Sequence, residues 1–542
     1  MCGIWSFIEL TKNSNNDFYK NLYNDFMSIK NRGPDMSSYN IINNLHIGFH
    51  RLAIMDTSFN ANQPYFIEND NSTIIFVCNG EIYNFKELNE KYSLSINNNS
   101  DCMTIPQLYI KLGFDEFIKL FEREIKGEFA FLLFEFDKNH NMKQIIVGRD
   151  MIGVRPLYYH KPNLLTTNLI FSSEIKGMNS FQDDIQEFEP GTICVIRIND
   201  NKPSAIYTSF KHIYNTTPVE NTEEKLLTVI REAVINSVRR RLLSDRPIAF
   251  LLSGGVDSSL VAAISTVLLG HSINTYCCGM SEGTDMIYAR MVAEHIKSNH
   301  TEVYFTESEG LDAIEDVVRT TETWDTTSIR ASVGQYIVCK YIGTKTSAKV
   351  VMVGEGPDEV CSSYLFNFYA PNGDELHEAA KEYVSKIHMF DGRRADRCIS
   401  RWGLEGRIAL LDPEFIEAYW QLPGEMRHPK YKGIEKWWLR QAFNDMNLLP
   451  NEVLWRKKEA FSDGVSGKKK SWFQIIQDYV KEKIGDKIIK LPTMEAQYYQ
   501  DLFIKYYGEN RLSIIPHYWQ PKWIQNGNTY IDPSARVLPV YN

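Results

Sequence analysis

The segment Phe250-Leu251-Leu252-Ser253-Gly254-Gly255-Val256-Asp257-Ser258-Ser259 limits the possible folds more than any other part of the chain. A continuous apolar strand, Ile248–Leu252, runs into a glycine turn, then hydroxyls, then a helix over Ser258–Leu269. The flanking sequence keeps the same alternation. An amphipathic helix over Thr222–Leu243 precedes it; a strand at Ile273–Cys278, a helix at Asp285–Lys297, a short strand at Glu302–Phe305 and a strand at Val350–Val353 follow. Strand and helix in turn predict an α/β, doubly wound parallel sheet with ligands at the strand C-termini.

The first two hundred residues read differently. Thr73–Cys78 is a β-rich run ending at Asn79-Gly80, and Phe129–Phe136 is another, bounded by Gly127 and Asp137. Ile145–Val147, Leu157–Tyr159 and Ile193–Ile198 continue the series, punctuated by Gly153, Pro156, Pro190 and Gly191. Helical spacing occurs at Phe18–Ile29 and around Ile105–Phe121, so this part is α+β and sheet-dominated. The polar stretch Lys202–Thr222 reads as a linker. Beyond about Ala379 the chain is mostly helical, and its last thirty or so residues are turn-rich. The Asn runs at Asn13–Asn16 and Asn97–Asn99 are short, biased loops.

A chain of 542 residues exceeds one compact core, which fits two domains with a helical extension. Its formal net charge of -9 argues against a nucleic-acid surface spread over the molecule. The nine cysteines are scattered without a CxxC spacing, as in a reducing compartment. Met1-Cys2-Gly3-Ile4-Trp5 lacks the basic-then-apolar form of a secretory signal, and the apolar stretch near Leu260–Leu269 is too short to span a bilayer. The expected location is cytoplasmic, with no membrane or nucleic-acid partner.

Two segments carry chemistry. The Ser253–Ser259 turn aims backbone N–H groups and a positive helix end at an anion, with Gly254 and Gly255 allowing close approach and Ser253, Ser258 and Ser259 adding hydroxyls. It is not a GxxxxGK[ST] loop, and a tight Ser/Gly cradle suits a pyrophosphate that departs whole. A second acidic segment, Gly354-Glu355-Gly356-Pro357-Asp358-Glu359, follows the strand Val350–Val353. Carboxylates at a strand end beside a triphosphate site suggest Mg²⁺, with Asp257 and Asp358 as candidate ligands.

Cys2 is the other. Removal of the initiator methionine would leave Cys2 carrying a free amine of pKa about 7.7–8.0, a base beside the thiol. A thiol glutaminase also needs a cation for the substrate carboxylate, an anion for its ammonium and donors for the oxyanion. Arg51, Asp101 and Asn79-Gly80 can supply these in turn. On its own each has a plain reading: a buried cysteine, a loop, a hairpin turn.

Taken in order, Met1-Cys2-Gly3-Ile4, Arg32-Gly33-Pro34-Asp35, His50–Asp56, Asn79-Gly80-Glu81-Ile82-Tyr83-Asn84 and Ser100-Asp101 resemble the class II glutamine amidotransferases. Gly148-Arg149-Asp150, Arg155–Tyr159 and Ser172–Lys176 extend the match over nearly the whole first domain. The resemblance implies Cys2 as nucleophile, Asn79 and Gly80 as oxyanion hole, and Arg51, Glu81 and Asp101 holding glutamine in a pocket lined by Leu52, Ala53, Ile54 and Met55.

The second half resembles enzymes that adenylate a carboxylate and release pyrophosphate. With Glu322–Asp325, Ile329–Ser332, Trp402–Arg407, Lys458–Gly464 and Asp532–Arg536, the full chain resembles the glutamine-hydrolysing asparagine synthetase family. This implies a layered αββα N-terminal-nucleophile glutaminase domain at residues 2–205. It implies a doubly wound adenylating domain with a helical extension at residues 223–542, and a homodimer. The implied substrates are glutamine, aspartate and ATP with Mg²⁺. Leu251, Ser253, Gly254, Gly255, Asp257, Ser258, Cys278, Asp285, Val353 and Gly354 would surround ATP, Glu355 would act at the intermediate, and Lys458 would neutralise phosphate charge. Thr327, Ser328 and Arg330 would lie near aspartate, and an apolar passage would carry ammonia between the sites.

In one place the chain departs from the family pattern. Val353, Pro357, Ser362 and Ser363 stand where two hydroxyl residues and two glycines are usual. That departure leaves open a homologue without turnover, beside the alternative of another adenylating amide-forming synthetase.

Overall fold

The computed structural model describes residues 1–11, 16–96, 98–160, 168–181, 185–199, 202–281, 283–458, 464–466, 470–515 and 519–523. The Asp532–Arg536 stretch, the Asn13–Asn15 and Asn97 positions, and Glu459–Asp463 lie outside them. No helix among the described residues is long and apolar enough to cross a membrane.

The first unit is built from β1 (Gly3–Ile8), β2 (Met36–Ile42), β3 (Leu45–Arg51), β4 (Tyr65–Glu68), β5 (Thr73–Ile82), β6 (Gly127–Phe136), β7 (Met142–Arg149), β8 (Tyr158–His160), β9 (Leu169–Ser172), β10 (Ile185–Glu187), β11 (Thr192–Asn199) and β12 (Lys202–Ser209). They form two six-stranded antiparallel sheets, ordered β10-β8-β9-β1-β3-β2 and β12-β11-β7-β6-β5-β4. Strand alternation sorts the side chains. Ile4 and Ile8, Leu45 and Ile47, Ile75 and Val77, and Leu132 and Phe134 share one core between the sheets. Their neighbours Trp5, Phe7, Phe76 and Phe131 pack the other way, against helices such as Asn16–Ser28 and Phe114–Arg123. Both faces are buried, so these strands read as continuous apolar runs.

Three sequence expectations change here. The strand read as ending at Asn79-Gly80 runs on to Ile82, with Gly80 opposite Phe129. A Cβ on Gly80 would lie 2.1 Å from the Glu128 carbonyl oxygen, so this glycine serves a close strand crossing and not a turn. The single helix around Ile105–Phe121 is two, Thr104–Leu112 and Phe114–Arg123, parted at Gly113, whose φ is +73°. Lys202–Ser209, read as the start of a linker, is an edge strand paired along β11.

The second unit has a five-stranded parallel sheet, ordered β15-β14-β13-β16-β17, from β13 (Ile248–Leu251), β14 (Asn274–Gly279), β15 (Asn299–Tyr304), β16 (Val350–Val353) and β17 (Glu405–Ile408). The chain leaves β13 toward one edge and returns through β16 toward the other. The ends of β13 and β16 therefore flank the crevice where such sheets bind ligands. β17 lies within the region read as mostly helical, where no strand was expected.

The two units meet across buried ions. Arg32 donates to both Asp396 oxygens at 2.7 and 2.9 Å and to Glu174 at 2.7 Å. Glu322, fully buried, accepts the backbone N–H groups of Ile175 and Lys176, each at 3.0 Å. Burial would push the Glu174 carboxyl up, but Lys176, Arg32 and Arg397 pull it down to about 2. A carboxylate depressed below its unfolded value contributes stability above that value, here 4.5, and loses it as pH falls toward 2. Asp396→Ala, which takes from buried Arg32 one of its two carboxylates and from Arg397 a partner as well, should cost about 3–5 kcal/mol at neutral pH in denaturant unfolding. The difference from wild type should shrink on acidification.

Candidate functional site

Two sites emerge. At the first, Cys2 precedes β1, and the Gly3–His50 pairing sets it beside Arg51 at the end of β3. The Cys2 thiol donates to the Leu52 carbonyl at 3.6 Å. By strand parity Cys2, Arg51, Asn79 and Glu81 all point into the space between the two sheets. Asn79 is fully buried, and its side-chain oxygen and nitrogen both lack a hydrogen-bond partner among the described residues, as does Glu81 Oε2. Unsatisfied buried amide and carboxylate atoms are rare enough to imply a ligand. Asp101 flanks them, its carboxylate accepting the Ile82 N–H at 2.6 Å and pushed up to about 6 by burial.

The Arg51 guanidinium holds the following loop through the carbonyls of Ser58 and Asp56 and the Asn62 side chain. Leu52, Ala53, Ile54 and Met55 are buried in the same loop, and the Asp35 carboxylate accepts the Ala53 N–H at 2.9 Å. The amine on Met1 donates to Leu404 O at 3.0 Å, and burial lowers its pKa to about 5. Burial also pushes the Cys2 thiol up to about 11.

At the second site, β13 delivers Leu251 and the turn Ser253–Gly255 to the N-terminus of the helix Val256–Leu269. Ser253 N–H donates to Ser258 Oγ at 3.1 Å, and the two hydroxyls lie 3.0 Å apart. Gly254 has φ +72°, and a Cβ there would meet Tyr288 Cβ at 2.4 Å, so only glycine fits. Cys278 and Asp285 line the same cleft, with Asp285 paired to Arg456 at 3.1 Å. Gly354, beyond the buried Val353, passes within 2.6 Å of Ser258 N measured from a built Cβ.

The two acidic candidates are joined by a residue with no sequence signal. Lys436 Nζ lies 2.5 Å from Asp257 and 2.6 Å from Asp358, and Lys458 also pairs with Asp358. Burial opposes the Lys436 charge, but the two carboxylates hold its pKa well above the lysine norm. Asp358 would be pushed up by burial, yet Lys436 and Lys458 hold it well below the carboxylate range. Asp257 Oδ1 is buried without a hydrogen-bond partner among the described residues. The Glu355 carboxylate, raised by burial, accepts from Gln335 at 2.9 Å and pairs with Arg394 at 3.2 Å.

Of the residues departing from the family pattern, Pro357 and Ser363 are accommodated, whereas Ser362 takes a left-handed backbone, φ +56°, and its buried hydroxyl finds no partner among the described residues. Pro357 opens the short helix Pro357–Val360, where a missing N–H is harmless. Ser363 Oγ donates to Asp358 at 2.5 Å.

Thr327, Ser328 and Arg330 are engaged away from the cleft wall. Thr327 Oγ1 and Ser328 N–H donate to Asp325 at 2.7 and 2.8 Å, and Arg330 is bound by Glu495 at 2.8 and 2.5 Å. Gln335, further along the same helix, does reach the cleft.

Comparison with known proteins matches both halves. A glutamine amidotransferase domain profile covers residues 1–227, and an asparagine synthase profile covers residues 229–522. The chain is 37% identical over 584 residues to the asparagine synthetase [glutamine-hydrolyzing] of Gallus gallus, spanning 100% of this chain and 99% of that protein. The proteins of the same description from Cricetulus griseus and Homo sapiens are 36% and 35% identical, each over 583 residues with the same coverage.

Lys436→Met leaves Asp257 and Asp358 with Lys458 as their nearest counter-charge. Unfolding free energy should fall by about 3 kcal/mol at pH 7. Because Asp358 is depressed in the fold, the difference should fade as pH drops below about 3.8, which paired denaturant titrations at two pH values would test.

Proposed function

The chain belongs to the glutamine-hydrolysing asparagine synthetase family, and from that premise we propose how its two sites divide the reaction. The chain converts aspartate to asparagine at the expense of ATP, with glutamine as nitrogen donor. The finer steps are our reading. Its main support is the pair of unsatisfied Asn79 side-chain atoms buried between the sheets that carry Cys2 and Arg51.

Removal of Met1 puts the α-amine on Cys2 itself. This amine takes the thiol proton, and the sulfur attacks the side-chain amide carbon of glutamine. Asn79 Nδ2 and the Gly80 N–H stabilise the oxyanion. Arg51 holds the substrate carboxylate, while Glu81 and Asp101 hold its ammonium. Ammonia leaves, and water cleaves the Cys2 thioester to glutamate. In the αββα arrangement of this domain the pocket sits at the end of the sandwich, walled by Leu52–Met55.

In the second, doubly wound unit, the Ser253–Ser258 turn cradles the pyrophosphate end of ATP. Leu251, Cys278, Asp285, Val353 and Gly354 bound the nucleotide. The aspartate side-chain carboxylate attacks the α-phosphorus, pyrophosphate departs, and ammonia displaces AMP from the β-aspartyl-AMP carbonyl. Lys458 offsets phosphate charge, and Glu355 faces the intermediate. Thr327, Ser328 and Arg330 belong to the aspartate side of the helix that also bears Gln335. Asp257 and Asp358 present hard oxygen donors, and the unpartnered Asp257 Oδ1 suits Mg²⁺, which when bound would screen phosphate charge. The nine cysteines, all free, favour a cytoplasmic setting.

Cys2→Ala should lower glutamine-dependent asparagine formation by at least about 10³-fold and leave ammonia-dependent synthesis intact. Asp257→Asn should cripple both modes. Retained glutamine use in Cys2→Ala, or a mature chain whose intact mass includes Met1, would overturn the nucleophile assignment.

A further inference from the structure

The glutamine pocket is not completed by its own domain. β17, from the second unit, inserts two charged side chains beside it. The Glu405 carboxylate disfavours charge on the Cys2 thiol, on Glu81 and on Asp101 alike. Arg407 is fully buried. Its Nε donates to Glu405 at 2.8 Å, and its Nη1 donates to the carbonyls of Arg241 and Leu243 at 2.8 and 2.5 Å. The remaining nitrogen, Nη2, lies 3.4 Å from Glu81 Oε2. Neither atom has a hydrogen-bond partner among the described residues. Three bonds fix the guanidinium, and its remaining nitrogen faces Glu81 Oε2.

We propose that Arg407 is a positioning residue for glutamine. Acting from the second unit, it aims the Glu81 carboxylate so that it can take the substrate ammonium, and it favours the charged form against the burial that pushes Glu81 well up. The assignment rests on the reading of the Cys2 site as a glutaminase. Glu81 needs such help, because burial, Asp101 and Glu405 all disfavour its charge, while Arg407 and Arg155 favour it. Arg155 is already committed to Glu128 at 3.0 Å and to the Gly406 carbonyl at 2.9 Å. That leaves Arg407 as the cation able to serve Glu81. The placement has a further meaning. β17 pairs with β16, and β16 runs directly into the Gly354–Glu359 segment at the ATP cleft. Glutamine affinity is therefore set by a residue one strand away from the acidic loop of the other site.

The test uses the full chain and compares Arg407→Met, Arg407→Lys, Glu81→Gln and the double variant Arg407→Met/Glu81→Gln. Glutaminase KM and kcat are measured beside ammonia-dependent asparagine synthesis. Arg407→Met should raise the KM for glutamine about 10-fold or more while ammonia-dependent synthesis stays near wild type. The KM should fall as rising pH ionises Glu81, and in Arg407→Met that fall should lie at higher pH than in wild type, because Arg407 favours the charged form. Arg407→Lys keeps the cation, so it should show a smaller rise and a smaller displacement of that fall; it also serves if Arg407→Met fails to fold. The double variant should be no worse than the weaker single one, because both changes break the same pair.

An unchanged KM in folded Arg407→Met, additive losses in the double variant, or parallel loss of glutamine- and ammonia-dependent synthesis would each overturn the proposal. A Cys2→Ala control separates the two layers. If that variant still uses glutamine, the glutaminase reading fails whatever Arg407 does.

Discussion

The structure depends on charge buried between its two units. Arg32 reaches across to Asp396, Glu322 reaches back to the Ile175 and Lys176 amides, and Arg407 and Glu405 enter the first unit from β17. Removing any one partner would leave an uncompensated ion out of water, which is far more costly than losing a surface pair. The network therefore fixes the relative placement of the sheets more firmly than apolar contact alone would. It also explains why the thiol site and the nucleotide cleft form one frame: the strand beside the acidic loop is also a wall of the glutamine pocket.

Some of this was readable in the sequence and some was not. The parallel sheet was legible because β13, β14 and β16 are short apolar runs bounded by glycine turns and helices, a strictly local signal. The Ser253–Gly255 turn was legible for the same reason. Asn79-Gly80 misled, because the dipeptide favours a hairpin turn locally, while tertiary pairing with β6 holds it extended. Lys202–Ser209 misled because it is an exposed edge strand with no apolar face to betray it. The Ile105–Phe121 periodicity was real, and only the left-handed backbone at Gly113 shows that it breaks.

The site residues divide along the same line. Cys2, Arg51, Asn79, Glu81, Asp257 and Asp358 stand in recognisable local motifs. Lys436 bridges Asp257 and Asp358 from far along the chain, in a left-handed conformation with φ +58°, and nothing in its neighbourhood marks it. Arg407 lay in a stretch quoted for its resemblance, yet its partner Glu81 is in the other unit, and pairing at that separation is invisible without the fold. The altered acidic loop shows the converse. Pro357 and Ser363 read as departures from the family pattern, but one opens a helix turn and the other donates to Asp358.

The Glu322 carboxylate has one more consequence. The two amide hydrogens it holds belong to a short helical turn, Ile175–Met178, that would ordinarily trade with solvent through small local openings. Because their acceptor comes from the other unit, release of those two protons is coupled to the parting of the halves of the molecule. Their deuterium uptake is thus a built-in clock for interdomain separation, readable without any label or substrate.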